Sequence, residues 1–219
     1  MCFSATASFL SAGVTGVIGL AAVARARTRR ELPMAAVPLV FSAQQTVEGL
    51  LWLTLPNAPD GPATSALTLA FLLFAEVLWP VYAPLAALLI EPSARRARAL
   101  LVCLLSGTAV AGYLLIGLLT GRPGAVIDGG HIVYDRASPQ PEWVLMSYLL
   151  ATTLALALSS WPVIRVLASV IAIGYGVAYF LYWNAFISVW CFFAAAASVI
   201  VLAHFEMARV AAAERVGRG

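Results

Sequence analysis

Apolar stretches long enough to cross a lipid bilayer recur along nearly the whole of this 219-residue chain. A helix needs about 20 apolar residues to traverse a hydrocarbon core roughly 30 Å thick. In lipid every backbone N–H and C=O must be bonded within the protein, so such stretches fold as helices. Hydrophobic residues make up 62% of the chain against 11% charged, far from the soluble average. An all-α integral membrane protein is expected, forming a single transmembrane domain over residues 1–219, with the lipid bilayer as its first partner.

Seven spans are expected. They cover Ser8–Ala24, Pro33–Leu55, Ser65–Ile90, Ala99–Thr120, Glu142–Ser160, a sixth that starts at Trp161 and Pro162 and ends near Tyr182, and Asn184–His204. The fifth and sixth are separated only by the Trp-Pro pair, read as an interfacial aromatic followed by a helix start. The opening MCFSATASF carries no basic region, so the start is expected to be retained rather than cleaved as a signal.

All thirteen basic residues are arginines, and they alternate in sidedness. The loops after spans one, three and five, with the tail, hold eleven, whereas the loops after spans two, four and six hold Arg122 and Arg136. The positive-inside rule then puts the amino terminus outside and the carboxyl terminus in the cytoplasm. Topology thus accounts for the formal net charge of +3, and no nucleic-acid partner is expected. The absence of lysine excludes a retinal Schiff base, which needs a lysine amine.

In the external connection 121–141, β-branched residues flank Asp128, Gly129 and Gly130. Glycine supplies the positive φ of a tight turn, so a small extracytoplasmic β-hairpin is expected, either a lid over a site or a plain loop. Ser11, Thr15 and Gly19, with Ala12 and Gly16, give span one a small-residue face for close helix packing. Pro38, Pro80 and Pro84 remove helical hydrogen bonds and are expected to kink spans two and three. His204, at the cytoplasmic end of span seven, is read as structural.

Chemistry has to come from the few polar groups inside the spans. Glu48 and Glu76 stand out, because an acid at the bilayer centre costs about 2.5–3.5 kcal/mol and faces the bundle interior or water. At about 1.5 Å per residue, Glu48 lies roughly 10 Å and Glu76 roughly 16 Å below the outer boundary. In FSAQQTVEGLLW, Gln44, Glu48 and Trp52 share a helical face, with Gln45 beside them and Gly49 removing bulk next to the acid. Trp79 shares a face with Glu76. Asn184, Ser188 and Cys191 point to the same outer half from span seven, while Tyr179, Tyr182, Trp183 and Trp190 read as interface or packing aromatics.

The three cysteines, Cys2, Cys103 and Cys191, make no CxxC pair. Loss of Met1 would leave Cys2 with its amine and thiol side by side. Cys2, Glu48, Glu76, His131 and Cys191 together offer a donor set for zinc or copper, although they come from five separate segments.

The residues MCFSATASF and QQTVEGLLW resemble those of an uncharacterised family of small bacterial polytopic membrane proteins that share this opening and a QQxxEGxxW stretch. The resemblance runs through the chain and implies that the amino terminus and Glu48 belong to whatever the protein does. Seven spans in this orientation also look like the intramembrane ceramidase and adiponectin-receptor hydrolases. Those use three histidines for zinc, and this chain has two, on opposite sides of the membrane.

The leading expectation is a binding or transport protein with an acidic, aromatic-walled pocket open to the outside, for a cation, a proton or a small cationic solute. Glu48 and Glu76 supply charge, Gln44 and Gln45 orient the ligand, Trp52 and Trp79 form walls, and Asn184 is a further candidate ligand-binding residue. A membrane-embedded metalloenzyme is the first alternative. The second is an accessory subunit whose acids pair with a membrane-protein partner or a second copy.

Overall fold

The computed structural model describes residues 4–135, 140–181, 189–190, 193, 195 and 197–216. They form helices α1 (Ala5–Val23), α2 (Leu32–Thr54), α3 (Pro62–Leu72), α4 (Trp79–Ile90), α5 (Ala94–Gly121), α6 (Glu142–Leu149), α7 (Ala155–Ala157), α8 (Pro162–Leu181) and α9 (Ser198–Val216). A two-stranded sheet, β1 (Gly124–Asp128) and β2 (His131–Asp135), follows α5. A π-helical segment, Leu73–Leu78, joins α3 to α4, and another, Leu150–Leu154, joins α6 to α7.

Helix starts follow the local sequence. Ser4 caps α1 by accepting from the Ala7 N–H at 3.2 Å, Ser93 stands at the N-cap of α5, and prolines occupy the first turns of α2, α3 and α8, where a missing N–H costs nothing. Arg122 closes α5 in the left-handed region at φ 48.

Four helices are long and apolar enough to cross a membrane among the described residues: Ala5–Val23, the combined Pro62–Ile90, Ala94–Gly121 and Pro162–Leu181. Helix α2 has 23 residues, about 35 Å at 1.5 Å each; Gln44, Gln45, Thr46 and Glu48 dilute its apolar character. The stretch Glu142–Ala157 is shorter. The seventh expected span falls partly outside the described residues, and α9 continues past its expected end at His204 to Val216, through an alanine-rich stretch with high helix propensity.

The face that α1 buries is Ser8, Ala12, Thr15, Gly19 and Ala22, a 4-3-4-3 spacing of small residues. Close approach to α2 requires it. The Ser42 hydroxyl donates to the Ala12 carbonyl at 2.7 Å, and a Cβ on Gly19 would lie 2.7 Å from the Leu39 backbone nitrogen. Gly49, read from the sequence as making room beside Glu48, receives the Phe9 ring of α1.

The prolines of the Pro62–Ile90 stretch act through carbonyls. In an α-helix the Trp79 N–H would bond Ala75; here it bonds the Phe74 carbonyl, five residues back. Pro80 offers no N–H, so the Ala75 carbonyl is left over, and the Tyr148 hydroxyl donates to it. One turn on, Pro84 removes the amide that would bond the Pro80 carbonyl. That oxygen abuts α5 at Gly107, where a Cβ would stand only 1.8 Å from it. The broken hydrogen bonds of this helix are thus where its neighbours dock.

The two ends of the bundle differ. At one end the Arg25 guanidinium pairs with Glu206 and Arg27 donates to the Ala208 carbonyl at 2.8 Å. There too Arg96 donates to the Ser159 carbonyl at 2.8 Å and the Trp161 indole to the Ile90 carbonyl at 2.9 Å. The basic segments between α1 and α2, at the start of α5 and on α9 therefore gather together. At the other end the hairpin turns through Gly129 (φ 54) and Gly130 (φ 78), with Asp128 opposite His131. Ile132 and Ala125 pack into an apolar cluster with Leu51, Leu55, Phe71 and Ala75, and Tyr134 stacks on Phe71 at 4.7 Å.

Candidate functional site

Polar side chains in the middle of α2 must turn inward, and they do: Gln44, Gln45 and Glu48 are all 0% exposed. Across from them Glu76, in the first π segment, is 4% exposed and Trp79, at the start of α4, is 7% exposed. The two helices are joined where the Trp79 indole N–H donates to the Gln44 side-chain oxygen at 2.7 Å and the Phe41 ring stacks on Trp79 at 4.0 Å.

That pair sets the level of the two acids. Helix α2 runs toward the hairpin end and the Pro62–Ile90 stretch runs away from it, so residues after Gln44 and residues before Trp79 lie in the same direction. Glu48 is four residues beyond Gln44 and Glu76 three before Trp79, about 6 Å and 4.5 Å along the axes. Glu48 and Glu76 therefore occupy one level of the bundle, about one turn from the Trp79–Gln44 bond. The apolar cluster of Leu51, Phe71, Ala75 and Ile132 seals that level from the hairpin side.

Hydrogen-bonding capacity in the cluster exceeds what the described residues use. Neither amide atom of Gln45 has a partner among them, nor does the Gln44 nitrogen. Buried amides left unpaired cost about 1–3 kcal/mol each, which is the signature of a place where water or an ion completes the network.

On the far side of Trp79 lies a cavity of about 50 Å³, walled by Phe41, Trp79, Tyr148, Trp190, Leu167 and Val201. Its aromatic rim is linked by edge-to-face contacts, Tyr148 to Trp190 at 5.4 Å and Trp190 to Tyr175 at 5.6 Å. The Tyr148 hydroxyl is committed to Ala75 and the Thr152 hydroxyl to the Tyr148 carbonyl at 2.9 Å, so the wall is apolar, its rings set among aliphatic side chains such as Met34, Val37 and Leu156.

Of the residues singled out from sequence, Gln44, Gln45, Glu48, Glu76 and Trp79 gather at this level. Trp52, one turn beyond Glu48, is half-buried against the apolar cluster under the hairpin, with its indole nitrogen unpartnered among the described residues. Asn184, Cys2 and Cys191 lie outside the described residues. Among the described ones no three His, Cys, Asp or Glu side chains come together as a metal site, so Glu48, Glu76 and His131 do not form one. His131 stands at the hairpin turn, where burial holds its imidazole below the usual histidine range. Tyr148, Phe41 and the π segments were not legible as site elements. The adjoining Trp79, Pro80 and Pro84 were their only signal.

No curated protein and no solved structure matches the chain. A family model does, over residues 1–216, and with nearly the whole chain matched, this protein belongs to the family of unknown function DUF6629.

Proposed function

We propose that this chain is a seven-span protein of the cell membrane, with its amino terminus and hairpin outside and its carboxyl terminus in the cytoplasm, that binds or conducts a proton or small cation at Glu48 and Glu76. The carrying observation is the placement of these two almost wholly buried carboxyl groups at one level of the bundle, beside a Gln45 amide with no partner among the described residues. Burying two acids in a bilayer costs several kcal/mol, and a proton or bound cation lowers that cost by neutralising their charge. The gathering of the arginine-bearing segments at the end opposite the hairpin supports the orientation.

The size of the neighbouring space narrows the ligand. A small-molecule pocket encloses about 300–1,000 Å³, whereas the aromatic cavity measures about 50 Å³, room for a few waters or a bare ion. A bulky cationic solute is disfavoured. Trp79 turns its ring to the cavity and its N–H to Gln44, so it stands between the apolar cavity and the acidic level, with a ring face available to a cation.

Infrared difference spectra of the purified chain between acid and alkaline buffer test the reading. Beyond the signal of the eight other acidic side chains, a component of the protonated-carboxyl band should titrate, shrink in Glu48→Gln and be lost when Glu76→Gln is added. Proteoliposomes carrying a proton or potassium gradient then separate binding from conduction. Spectra that both substitutions leave unchanged, together with no gradient-driven flux, would remove the proposal.

A further inference from the structure

At the end of the bundle opposite the hairpin, a second cavity of about 340 Å³ opens between the α1–α2 turn and helices α4 and α9. Arg25, Arg27 and Arg30 line it, with Thr28, Glu31 and Trp161. Three guanidinium groups face one wall carboxylate, and positive charge remains in excess even when Glu206, the partner of Arg25, is counted.

Two of the guanidinium groups are held in place by the protein. Arg25 is fixed by Glu206 and by a 2.7 Å bond to the Ala21 carbonyl; the Arg27 guanidinium donates to the Ala208 carbonyl at 2.8 Å, and its backbone N–H, bonded to Glu31 at 2.6 Å, holds the main chain there. Each guanidinium bond occupies part of a five-donor fork and leaves the other donors available. Arg30 forms no ion pair among the described residues. The floor is rigid: His204 is 6% exposed and stacks edge-on against Trp161 at 5.1 Å.

We propose that this cavity is a binding site for a phosphate-bearing anion. Arginine forks match phosphate oxygens in pairs, a pre-fixed pair of forks loses little entropy on binding, and the volume accommodates a phosphate with its substituent. A phospholipid headgroup and a soluble phosphate share this chemistry. Basic pockets between helices at a membrane surface take the former. The site is independent of the acidic level described above, and its test does not involve Glu48 or Glu76.

The full chain in neutral detergent is titrated with phosphatidylglycerol and with phosphatidylcholine, read by native mass spectrometry, and with inorganic phosphate, read by calorimetry. Arg30→Gln should weaken binding about tenfold and Arg30→Glu further, whereas Arg29→Gln, outside the cavity wall, should leave it unchanged. Far-ultraviolet circular dichroism and thermal unfolding check that each variant is folded. Preference for phosphatidylglycerol over phosphatidylcholine assigns a lipid headgroup. Binding of inorganic phosphate with the same Arg30 dependence, and no lipid preference, assigns a soluble phosphate. Binding of either probe that is indifferent to both Arg30 variants overturns the proposal, as does binding of neither.

Discussion

The Trp79 indole N–H donates to the Gln44 side-chain oxygen at 2.7 Å, and both residues are buried. This bond ties α4 to α2 at the level next to the two acids, and Trp79 is the sole partner that Gln44 has through its side chain among the described residues.

Removing the donor therefore leaves a wholly unpartnered buried amide. Trp79→Phe is expected to destabilise the chain by about 1–3 kcal/mol from the orphaned oxygen, with a further loss from the smaller ring. Gln44→Leu in the Trp79→Phe background should recover the hydrogen-bond part, because an apolar pair has nothing left to satisfy. A double-mutant cycle on thermal unfolding in detergent measures the coupling, and additivity of the two changes would show that the bond contributes nothing.

Gly107 is a close-approach glycine and Gly112, on the same helix, is not. A Cβ at Gly107 would sit 1.8 Å from the Pro80 carbonyl oxygen, while one at Gly112 meets nothing within 4 Å. Gly107→Ala must push α5 away from α4 and should cost about 1–3 kcal/mol or more. Gly112→Ala should be neutral or stabilising, by up to about 1 kcal/mol, because alanine is the better helix former. Thermal unfolding of the two variants side by side checks the contrast.

Gln44, Gln45, Glu48 and Glu76 were legible because polar side chains in the middle of long apolar stretches are expected to face inward, and all four are buried. The hairpin was legible because Gly129 and Gly130 carry the positive φ that the turn requires. Tyr148 was not. Its role depends on a carbonyl 73 residues away, freed only because Pro80 and the π step together leave Ala75 without an amide. Proline announces a break in a helix, but which neighbour fills the break is a matter of tertiary packing. Span counting was least decisive where polar residues or short length blur the apolar signal, in α2 and in Glu142–Ala157.

Glu91 makes the link between the α4–α5 and α7–α8 turns sensitive to pH. Burial pushes its carboxyl up, but the Ser160 hydroxyl and backbone N–H, the Ser93 N–H and the nearby Arg96 charge together hold it below its ordinary value. A carboxyl lowered in the folded state adds stability above its unfolded pKa, and that contribution is lost as pH falls through the lower folded value. Unfolding temperature should therefore fall below about pH 4.5, and Glu91→Gln should flatten that part of the profile. Parallel profiles for the two proteins would show that the carboxylate is not responsible.

Ile132 is the hairpin's anchor, fully buried against Leu51, Leu55 and Phe71 while Val126 on the facing strand is exposed. Ile132→Ala should cost about 2–4 kcal/mol locally by leaving a cavity in that cluster. An isolated two-stranded hairpin is marginal by itself, so the loss should appear as detachment of the hairpin rather than unfolding of the bundle. Hydrogen–deuterium exchange followed by mass spectrometry should show faster exchange over residues 124–135 and at the end of α2 near Leu55, with the α1–α2 packing around Ala12 and Ser42 unchanged. If the hairpin is a lid over the acids, loosening it admits water to the level of Glu48 and Glu76. The same substitution should accordingly speed deuterium uptake by the buried carboxyl groups, read as the shift of the carboxyl band in heavy water. If the hairpin loosens and the band exchanges no faster, it is packing at the end of the bundle and not a lid over the acids.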